Sequence, residues 1–333
     1  MTSPDRSSPC IAVLGERIVD FVPGEGAGAY RAVPGGSPAN VALGIARLGG
    51  RPVLLGRAGD DGMAGLLDRA ISDNGLSTTA LLRRSGPSLL AVCTREPDGS
   101  VEYAFYYQGC PDLSWDADDL NEALGAARAA GAIAWHTGSL VSWLGPGVEA
   151  VLSAWRAQRA EGRLVLSYDP NARPGTVPRD RMRDTVEQFV GQSHLVKASD
   201  ADMSFLYPGE DPDDACARWA TSGPELVVLT RGPQGLSAWR AGRPAVSVEG
   251  YPVQVSDTVG AGDTVTAALL TGLASRGALR VGGVASLTDD DLTTLLREAA
   301  AAAAITCSRP GADPPTSQEV GAFLAGVTPS QAR

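Results

Sequence analysis

Basic clusters and paired cysteines are both missing from this sequence of 333 residues. The net charge is -10, from 38 acidic and 28 basic side chains, and no block of Lys or Arg stands out. Nucleic-acid binding and attachment to an anionic membrane both need such a block, so we predict neither partner. The five cysteines form no CxxC pair. We therefore expect no zinc site or disulfide scaffold, and a reducing, cytoplasmic compartment.

Long apolar runs and lysine are also scarce. No stretch approaches the 18 or so apolar residues of a membrane-spanning helix, and the first 15 residues lack the apolar centre of a signal peptide. Lys197 is the only lysine, and we interpret the predominance of Arg, beside abundant Ala and Gly, as genomic codon bias. The apolar content of 44% and the charged content of 20% are those of a globular protein.

Strand-like and helix-like patterns alternate along most of the chain. Buried strands are predicted at CIAVLG (10–15), RLVLSYD (163–169) and ELVVLTRG (225–232). A helix is predicted at 39–49, where apolar residues recur at helical spacing. Because strands that alternate with helices build a parallel sheet covered on both faces, the predicted fold class is α/β, with a doubly wound, mostly parallel sheet flanked by helices.

Two extended segments interrupt this alternation, at about 17–37 and 88–112. The second contains β-rich runs on either side of Pro97-Asp98-Gly99, which is typical of a hairpin turn. We expect the two segments to form a small β-sheet beside the main sheet. Since the chain has no repeat and no low-complexity linker, we predict one domain over residues 1–333.

The stretch VSDTVGAGDTVTAALL (255–270) carries the motif richest in chemistry. We predict a strand at 253–255 and a helix that begins after the glycines. Asp263 falls in the first turn of that helix, where it could accept a proton from an attacking hydroxyl. A helix-capping Asp after a small-residue turn is the structural alternative, and this stretch alone does not decide between them. Three residues before it would expose backbone N–H groups to an anionic oxygen: Gly260, Ala261 and Gly262.

Polar or glycine-rich stretches occur at three further junctions between strands and helices. PGGSPANVALGIARLG (34–49) places two glycines and Asn40 before a helix, and SYDPNARP (167–174) places three polar groups after a strand. VVLTRGPQG (227–235) ends a strand in Thr and Gly. Each stretch taken singly has an ordinary structural interpretation. Together they meet at the carboxyl-end edge of a parallel sheet, so we predict a ligand site there.

These motifs together resemble those of the pfkB family of carbohydrate kinases, which have the ribokinase-like fold. The family's GGxxAN segment is matched by residues 35–40, its TxGxxG segment by residues 230–235 and its DTxGAGD signature by residues 257–263. The resemblance covers essentially the whole chain. It implies an enzyme that transfers phosphate from ATP to a primary hydroxyl of a small sugar, with Mg²⁺ and, in many members, K⁺.

The resemblance also implies roles around the transferred phosphate. Asp263 would be the general base that deprotonates the sugar, and residues 260–262 would form the anion hole. Asp202, in KASDADM, would organise Mg²⁺ through water, although this acid is usually Glu in the family. Asp257, with residues 309–312, resembles the place where many members bind a monovalent cation. The residues implied at the nucleotide are Lys197, Ser199, Thr230, Gly232 and Gly235.

The resemblance places the sugar under the small β-sheet of residues 17–37 and 88–112. This sheet would act as a lid, and in many members it also pairs two subunits of a homodimer. GERIVDFVP (15–23) and DPNARP (169–174) resemble most the fructokinase and 2-keto-3-deoxygluconate kinase branch. The residues implied at the sugar are Asp20, Gly36, Ser37, Asn40, Tyr107, Asp169, Asn171 and Arg173.

One departure from that branch bears on the substrate. Gln108 follows the pair Tyr106-Tyr107, where relatives usually carry Arg. A substrate carboxylate would lose its bidentate partner, so an acidic sugar is disfavoured and fructose is the first choice. Open alternatives are a 2-keto-3-deoxygluconate kinase, a ribokinase, a nucleoside kinase, or a non-catalytic sugar or nucleotide sensor. A dinucleotide-dependent dehydrogenase is disfavoured, because no GxGxxG follows the first strand.

The histidines and tryptophans are weaker candidates for function. His136 ends a predicted strand, where it either contacts a sugar or is a hydrogen-bonded structural residue. The tryptophans are predicted to pack in the core or the lid rather than to stack on a cofactor. They are Trp115, Trp135, Trp143, Trp155, Trp219 and Trp239.

Overall fold

The structure is a computed structural model that describes residues 8–26, 28–95 and 101–326. The strands are β1 (Cys10–Leu14), β2 (Ile18–Pro23), β3 (Tyr30–Gly35), β4 (Arg51–Ala58), β5 (Leu81–Arg83), β6 (Leu89–Arg95), β7 (Val101–Tyr106), β8 (Ala132–Gly138), β9 (Val165–Asp169), β10 (Leu195–Ser199), β11 (Leu226–Thr230), β12 (Leu236–Trp239) and β13 (Val246–Val248). The helices are α1 (Ser37–Arg47), α2 (Gly62–Asp73), α3 (Ala117–Ala129), α4 (Leu140–Trp143), α5 (Val148–Glu161), α6 (Arg179–Gln192), α7 (Asp200–Leu206), α8 (Pro212–Ala220), α9 (Ala261–Ser275), α10 (Asp289–Cys307) and α11 (Ser317–Gly326).

Nine of these strands form the large sheet, in the spatial order β13-β12-β11-β10-β9-β8-β1-β4-β5. Neighbouring strands from β11 to β5 all pair in parallel. Strand β12 pairs antiparallel with both β11 and β13. The predicted mostly parallel sheet is therefore confirmed. The carboxyl ends of its parallel strands lie along one edge, which is where ligands bind in sheets of this kind.

Helices cover both faces of the large sheet, as the packing of β1 illustrates. Ala12 and Leu14 belong to one apolar cluster, whereas Ile11 and Val13 belong to a second one that also contains side chains of α1, α9 and α10. Successive side chains of a strand point to opposite faces, so a strand covered on both sides must be apolar throughout. The six tryptophans are buried, as predicted. Among the helices of the described ranges, none has both the length and the apolar character needed to cross a bilayer.

The second sheet, which we call the lid, contains β3, β2, β6 and β7 in that order. Strand β2 pairs antiparallel with β3 and parallel with β6, and β6 pairs antiparallel with β7. The pairing of β6 with β7 confirms the predicted hairpin. Its turn at Pro97-Asp98-Gly99 lies outside the described residues. The lid strands come from the two extended segments that interrupt the strand–helix alternation.

Two details of the predicted element order are wrong. Residues 253–255 form no strand, and Val255 is 60% exposed. Pro252 cannot donate a hydrogen bond to a neighbouring strand, which weakens pairing at that point. The sequence pattern also does not predict helices α4, α7 and α11. Helices α4 and α7 have only 4 and 7 residues, which is too short for a helical period to be recognised.

Candidate active site

A cleft of about 800 Å³ opens between the lid and the ligand edge of the large sheet. The lid contributes Asp20 of β2 and the rings of Tyr103 and Phe105 of β7. The large sheet contributes the loop that follows β9, the end of β10 and the start of α9. We call this space the main cleft. Its size and its mixed polar and aromatic lining are those of a small-molecule site.

Residues 260–262, which we call the glycine turn, lie where α9 begins, and Gly260 and Gly262 line the main cleft. Gly260 has a φ of 78°, and a Cβ at this position would lie 2.6 Å from the Cβ of Ala312, so glycine is required. Among the described residues, the N–H groups of Gly262 and Asp263 have no backbone acceptor, as expected for the first turn of a helix. They are therefore available to an anionic oxygen.

Asp263 connects the glycine turn with the GGxxAN segment. Its Oδ1 accepts a hydrogen bond from Ser37 Oγ at 2.6 Å, and its Oδ2 accepts one from Asn40 Nδ2 at 2.8 Å. Burial raises the pKa of the Asp263 carboxyl, while the two hydrogen bonds and the charge of Lys197 act in the opposite direction. A carboxylate with a raised pKa on the wall of a cleft has the properties of a general base.

Lys197 reaches the main cleft from β10. Its Nζ donates a hydrogen bond to Asp169 Oδ2 at 2.8 Å, and both side chains are buried. A Cβ built on Gly262 would lie 2.8 Å from the same Nζ, so the ammonium group is directly beside the glycine turn. The structure thus brings a cation together with the amides of the turn and the carboxylate of Asp263.

The lid is joined closely to the start of α1 by the glycine pair of the GGxxAN segment. A Cβ at Gly35 would lie 2.5 Å from Asp20 Oδ2, and one at Gly36, whose φ is 108°, would lie 2.6 Å from the carbonyl oxygen of Glu16. Burial raises the pKa of Asp20 to about 6, and the charge of Arg173 across the cleft opposes this shift. Six predicted sugar contacts line the main cleft: Asp20, Gly36, Ser37, Asn40, Asn171 and Arg173.

Asp202 lies on the cleft wall in the first turn of α7. Its Oδ1 accepts from Ala172 N at 2.7 Å, and its Oδ2 accepts from the N–H and hydroxyl of Ser199 at 2.8 and 2.6 Å. No group of three His, Cys, Asp or Glu that could hold a metal occurs in the part of the chain that the structure describes. Mg²⁺ usually keeps several waters and takes its other ligands from one or two carboxylates and substrate phosphates. Both oxygens of Asp202 are engaged with these donors, so any contact with Mg²⁺ would have to pass through water, and the role of Asp202 stays a prediction.

A second cavity of about 400 Å³, which we call the side cavity, adjoins the main cleft. Thr258 and Gly262 border both spaces, so they meet at the glycine turn. The end of β11 forms one wall and α10 contributes to another. Three residues predicted at the nucleotide line it: Thr230, Gly232 and Gly235. The other two, Lys197 and Ser199, line the main cleft instead.

Two predicted sugar contacts do not line the main cleft. Asp169 is 1% exposed and paired with Lys197, and Tyr107 packs against the apolar core. The aromatic residues that line the cleft are Tyr103 and Phe105, which are two positions apart on β7. Since alternate residues of a strand share a face, the period of this strand is the signal that could have identified them.

Glu16 lies on the cleft wall although the sequence did not single it out. Its carboxylate accepts hydrogen bonds from the N–H groups of Leu140 and Val141, both at 3.3 Å, and burial raises its pKa to about 7. His136, by contrast, is buried behind the cleft with its Nδ1 3.0 Å from Ser167 Oγ. Burial lowers the pKa of His136 to about 3. These contacts fit the structural interpretation of this histidine.

Asp257 ties the segment before the glycine turn to the C-terminal loop. Its Oδ1 accepts from Val259 N at 3.1 Å, and its Oδ2 accepts from Gly311 N at 3.0 Å. The structure therefore brings Asp257 to the region 309–312 that the resemblance implies for a monovalent cation. The carboxylate is engaged with these donors, so the ligands of such a cation would be mainly neighbouring oxygens, and the site stays a prediction.

Solved structures share this arrangement of sheet and lid. The fructokinase with bound ATP from Xylella fastidiosa has a TM-score of 0.84 and 24% identity, over 95% of this chain and 98% of that chain. The fructokinase from Vibrio cholerae O395, in a form with fructose, ADP and calcium ion bound, has a TM-score of 0.77 and 24% identity, over 96% and 100% of the two chains. The fold is ribokinase-like, with a lid over a cleft of the size of a small molecule.

Sequence comparison assigns the family. A sequence model of the pfkB family of carbohydrate kinases matches residues 10–319, and the chain belongs to this family. Fructokinase-1 of Oryza sativa subsp. japonica is 35% identical over 94% of this chain and 97% of its own length. Fructokinase-1 of Zea mays is 34% identical over 93% of this chain and 96% of its own length. The protein is thus a sugar phosphotransferase, as the motifs predicted.

Proposed function

We propose that this protein is an ATP-dependent fructokinase that phosphorylates a primary hydroxyl of fructose in the main cleft. One observation carries the proposal: the carboxylate of Asp263, held by Ser37 and Asn40, lies on the wall of the main cleft next to Gly262, which also borders the side cavity. The similar plant proteins, which are named fructokinases, support the choice of sugar.

The residues of the cleft would have different roles in phosphoryl transfer. Fructose would lie under the lid, with ATP in the side cavity and its terminal phosphate at the glycine turn. Asp263 would accept the proton of the attacking hydroxyl. The free N–H groups of Gly262 and Asp263 and the Lys197 ammonium would stabilise charge on the migrating phosphoryl group. Closure of the lid would exclude water and so prevent hydrolysis of ATP.

Two cations belong to the proposal. Mg²⁺ would neutralise the phosphate oxygens of ATP, and Asp202 would hold it through water. K⁺ would bind between Asp257 and residues 309–312, where the contact with Gly311 already joins the two loops. Removal of K⁺ is therefore expected to weaken catalysis through the glycine turn that follows Asp257.

The charges of the cleft favour a neutral sugar. Asp20 and Glu16 both line it and would repel a substrate carboxylate, whereas Arg173, across the cleft from Asp20, is a cationic group that offsets part of this charge. Gln108, which stands where relatives usually carry Arg, is exposed in the turn after β7 and does not line the cleft, so an acidic sugar is disfavoured by Asp20 and Glu16 and not by this position. A 2-keto-3-deoxygluconate kinase is therefore the weaker candidate. Neutral ribose and nucleosides remain to be separated from fructose by assay.

The test is an assay of ADP release with a panel of sugars and nucleosides, with and without K⁺. Release is expected to be fastest with fructose, and Asp263→Asn is expected to lower turnover at least about 10²-fold. Asp180→Asn is the matched control, because Asp180 also lies in the first turn of a helix but is 71% exposed. Absence of ADP release with every sugar would support a non-catalytic sensor, and a preference for nucleosides would refute the fructokinase assignment.

We also propose a cytoplasmic homodimer that pairs through the lid. Tyr30 is 46% exposed on β3 and Tyr106 is 60% exposed on β7, and these are the two edge strands of the lid. Large exposed aromatic side chains are common in protein interfaces. The five cysteines are free, in keeping with a reducing compartment. Light scattering should give a dimer mass, and Tyr106→Glu should shift it toward a monomer.

A further inference from the structure

Asp169 and Lys197 form a buried ion pair behind the wall of the main cleft. Asp169 ends β9, and Lys197 lies on the neighbouring strand β10, one step beyond the register pair of Tyr168 with Val196. Only 1% of the Asp169 side chain and 7% of the Lys197 side chain are exposed. Lys197 lines the cleft and Asp169 does not. The acid is thus the inner member of the pair.

Both oxygens of the Asp169 carboxylate have protein partners. Oδ2 accepts the hydrogen bond from Lys197 Nζ at 2.8 Å, and Oδ1 accepts one from the N–H of Asn171 at 3.1 Å. A carboxylate that is buried in this way offers little to a sugar hydroxyl. Any influence of Asp169 on the reaction must therefore pass through its two partners, the Lys197 ammonium group and the backbone at Asn171, and only Lys197 would bring a charge to the transferred phosphoryl group.

The ammonium group of Lys197 faces the place where a phosphoryl group would move. It is so close to Gly262 that a Cβ there would lie 2.8 Å from Nζ. The other titratable groups that face it are Asp263 on α9, Asp202 on α7 and His136 on β8. Burial lowers the pKa of Lys197, but the charge and hydrogen bond of Asp169 raise it, and the pKa is raised overall.

We propose that Asp169 is a positioning residue, which keeps the Lys197 ammonium group charged and in place beside the glycine turn. Burial favours the neutral form of a lysine, and without Asp169 only the smaller effects of Asp202 and Asp263 would oppose it, so the ammonium group should lose its proton at a lower pH. A neutral amine cannot stabilise the charge of a migrating phosphoryl group, and loss of one such positioned donor typically lowers kcat about 10²- to 10³-fold. The catalytic consequence rests on the proposed kinase function, whereas the ion pair itself does not.

The charge of Lys197 can be measured directly, because it is the only lysine of the chain. In protein labelled with ¹³C at lysine, its Cε shift reports the loss of the ammonium proton. The wild-type midpoint is expected above the ordinary lysine value of about 10.4. Asp169→Asn keeps the shape and removes the charge, so its midpoint should fall by about 1–3 pH units or more. Asp112→Asn is the control, since Asp112 is 2% exposed and bonded to Arg17 N.

The same variants then need kinetic pH profiles. With Asp169→Asn, kcat should fall with rising pH around the lowered midpoint of Lys197, which gives the profile an alkaline limb, while KM for the sugar changes little. Asp112→Asn should show no such limb. If the Lys197 midpoint in Asp169→Asn equals that of wild type, the inference is overturned. A wild-type midpoint below about 10.4 also overturns it, and this second outcome can be measured even if the variant does not fold. A lowered midpoint without an alkaline limb refutes the catalytic part. If wild-type protein releases no ADP with any sugar, the proposed function fails while the titration still decides the ion pair.

Discussion

Replacement of Ser37 by Ala removes one of the two side-chain donors that hold the Asp263 carboxylate. The Ser37 hydroxyl donates to Asp263 Oδ1 at 2.6 Å, and the Asn40 amide donates to Oδ2 at 2.8 Å. Both bonds lower the pKa of Asp263 against the burial that raises it. Ser37→Ala leaves burial in place and removes one opposing contact, so the pKa of Asp263 must rise further.

The size of the shift follows from the strength of such a bond. A hydrogen bond to a charged group contributes about 1.5–3 kcal/mol, and one pKa unit corresponds to about 1.36 kcal/mol, so the pKa should rise by about 1–2 units. Asp263 is only 9% exposed, so solvent screens little of this effect. Because the proposed base acts as a carboxylate, the acid limb of kcat/KM should move to higher pH by the same amount.

The assay is the pH profile of kcat/KM for fructose, which reports groups of the free enzyme. Ser237→Ala is the control, since Ser237 is another buried serine, 4% exposed, whose hydroxyl lies 2.7 Å from Ser247 Oγ in β13, away from the main cleft. Its acid limb should not move. If the limb of Ser37→Ala also stays in place, Asp263 is not the group whose ionisation controls the reaction, however much the overall rate has fallen.

Two further predictions concern the supports of the site. Gly235 has a φ of 96°, and a Cβ there would lie 2.1 Å from Val248 O. Gly235→Ala should therefore lower the thermal midpoint far more than Gly232→Ala, since a Cβ at Gly232 would have no atom within 4 Å. Equal losses in a melting experiment would contradict this reasoning. Burial raises the pKa of Glu16 to about 7, so its contribution to stability is present below the unfolded value of about 4.3 and is lost as pH rises to about 7. Denaturation at several pH values should therefore show that the free energy of unfolding falls less steeply between about pH 4 and 7 in Glu16→Gln than in wild type or in Glu149→Gln. Equal slopes in the three proteins would contradict this assignment.

The sequence predicts the layers of the fold because period and order are local properties. A strand that is apolar throughout, such as CIAVL, must be covered on both faces. Because such strands alternate with helices, as at 39–49, the sequence predicts a parallel sheet and therefore its ligand edge. The sequence also predicts the lid, because two extended segments interrupt the alternation of strands and helices. What local patterns cannot give is the pairing of lid strands distant in sequence, such as the parallel contact of β2 with β6.

The individual roles in the site were less accessible, because they depend on where side chains point. Motif spacing places Asp169 at the end of a strand but does not say whether it faces the cleft or the next strand, and the structure turns it toward Lys197. Likewise, the contact of Ser37 with Asp263 joins residues 226 positions apart. Tyr107 packs against the apolar core, and the cleft wall is formed by Phe105 and Tyr103, two and four positions earlier.

The single lysine gives the codon-bias interpretation a different meaning. Of the 28 Lys and Arg residues, all but Lys197 are Arg, so this position is the single exception to the predominance of Arg. Lysine and arginine are interchangeable on an exposed surface but not in a tight buried site, because guanidinium is a broad planar fork and ammonium is a compact charge. A Cβ at Gly262 would lie 2.8 Å from Nζ, so the ammonium group lies directly against the glycine turn, and a broader guanidinium would place its charge differently there. Lys197→Arg should therefore keep the charge beside Asp169 and still lose turnover, with the protein folded by circular dichroism. Full activity in this variant would mean that charge alone matters at the turn and that the scarcity of lysine carries no functional information.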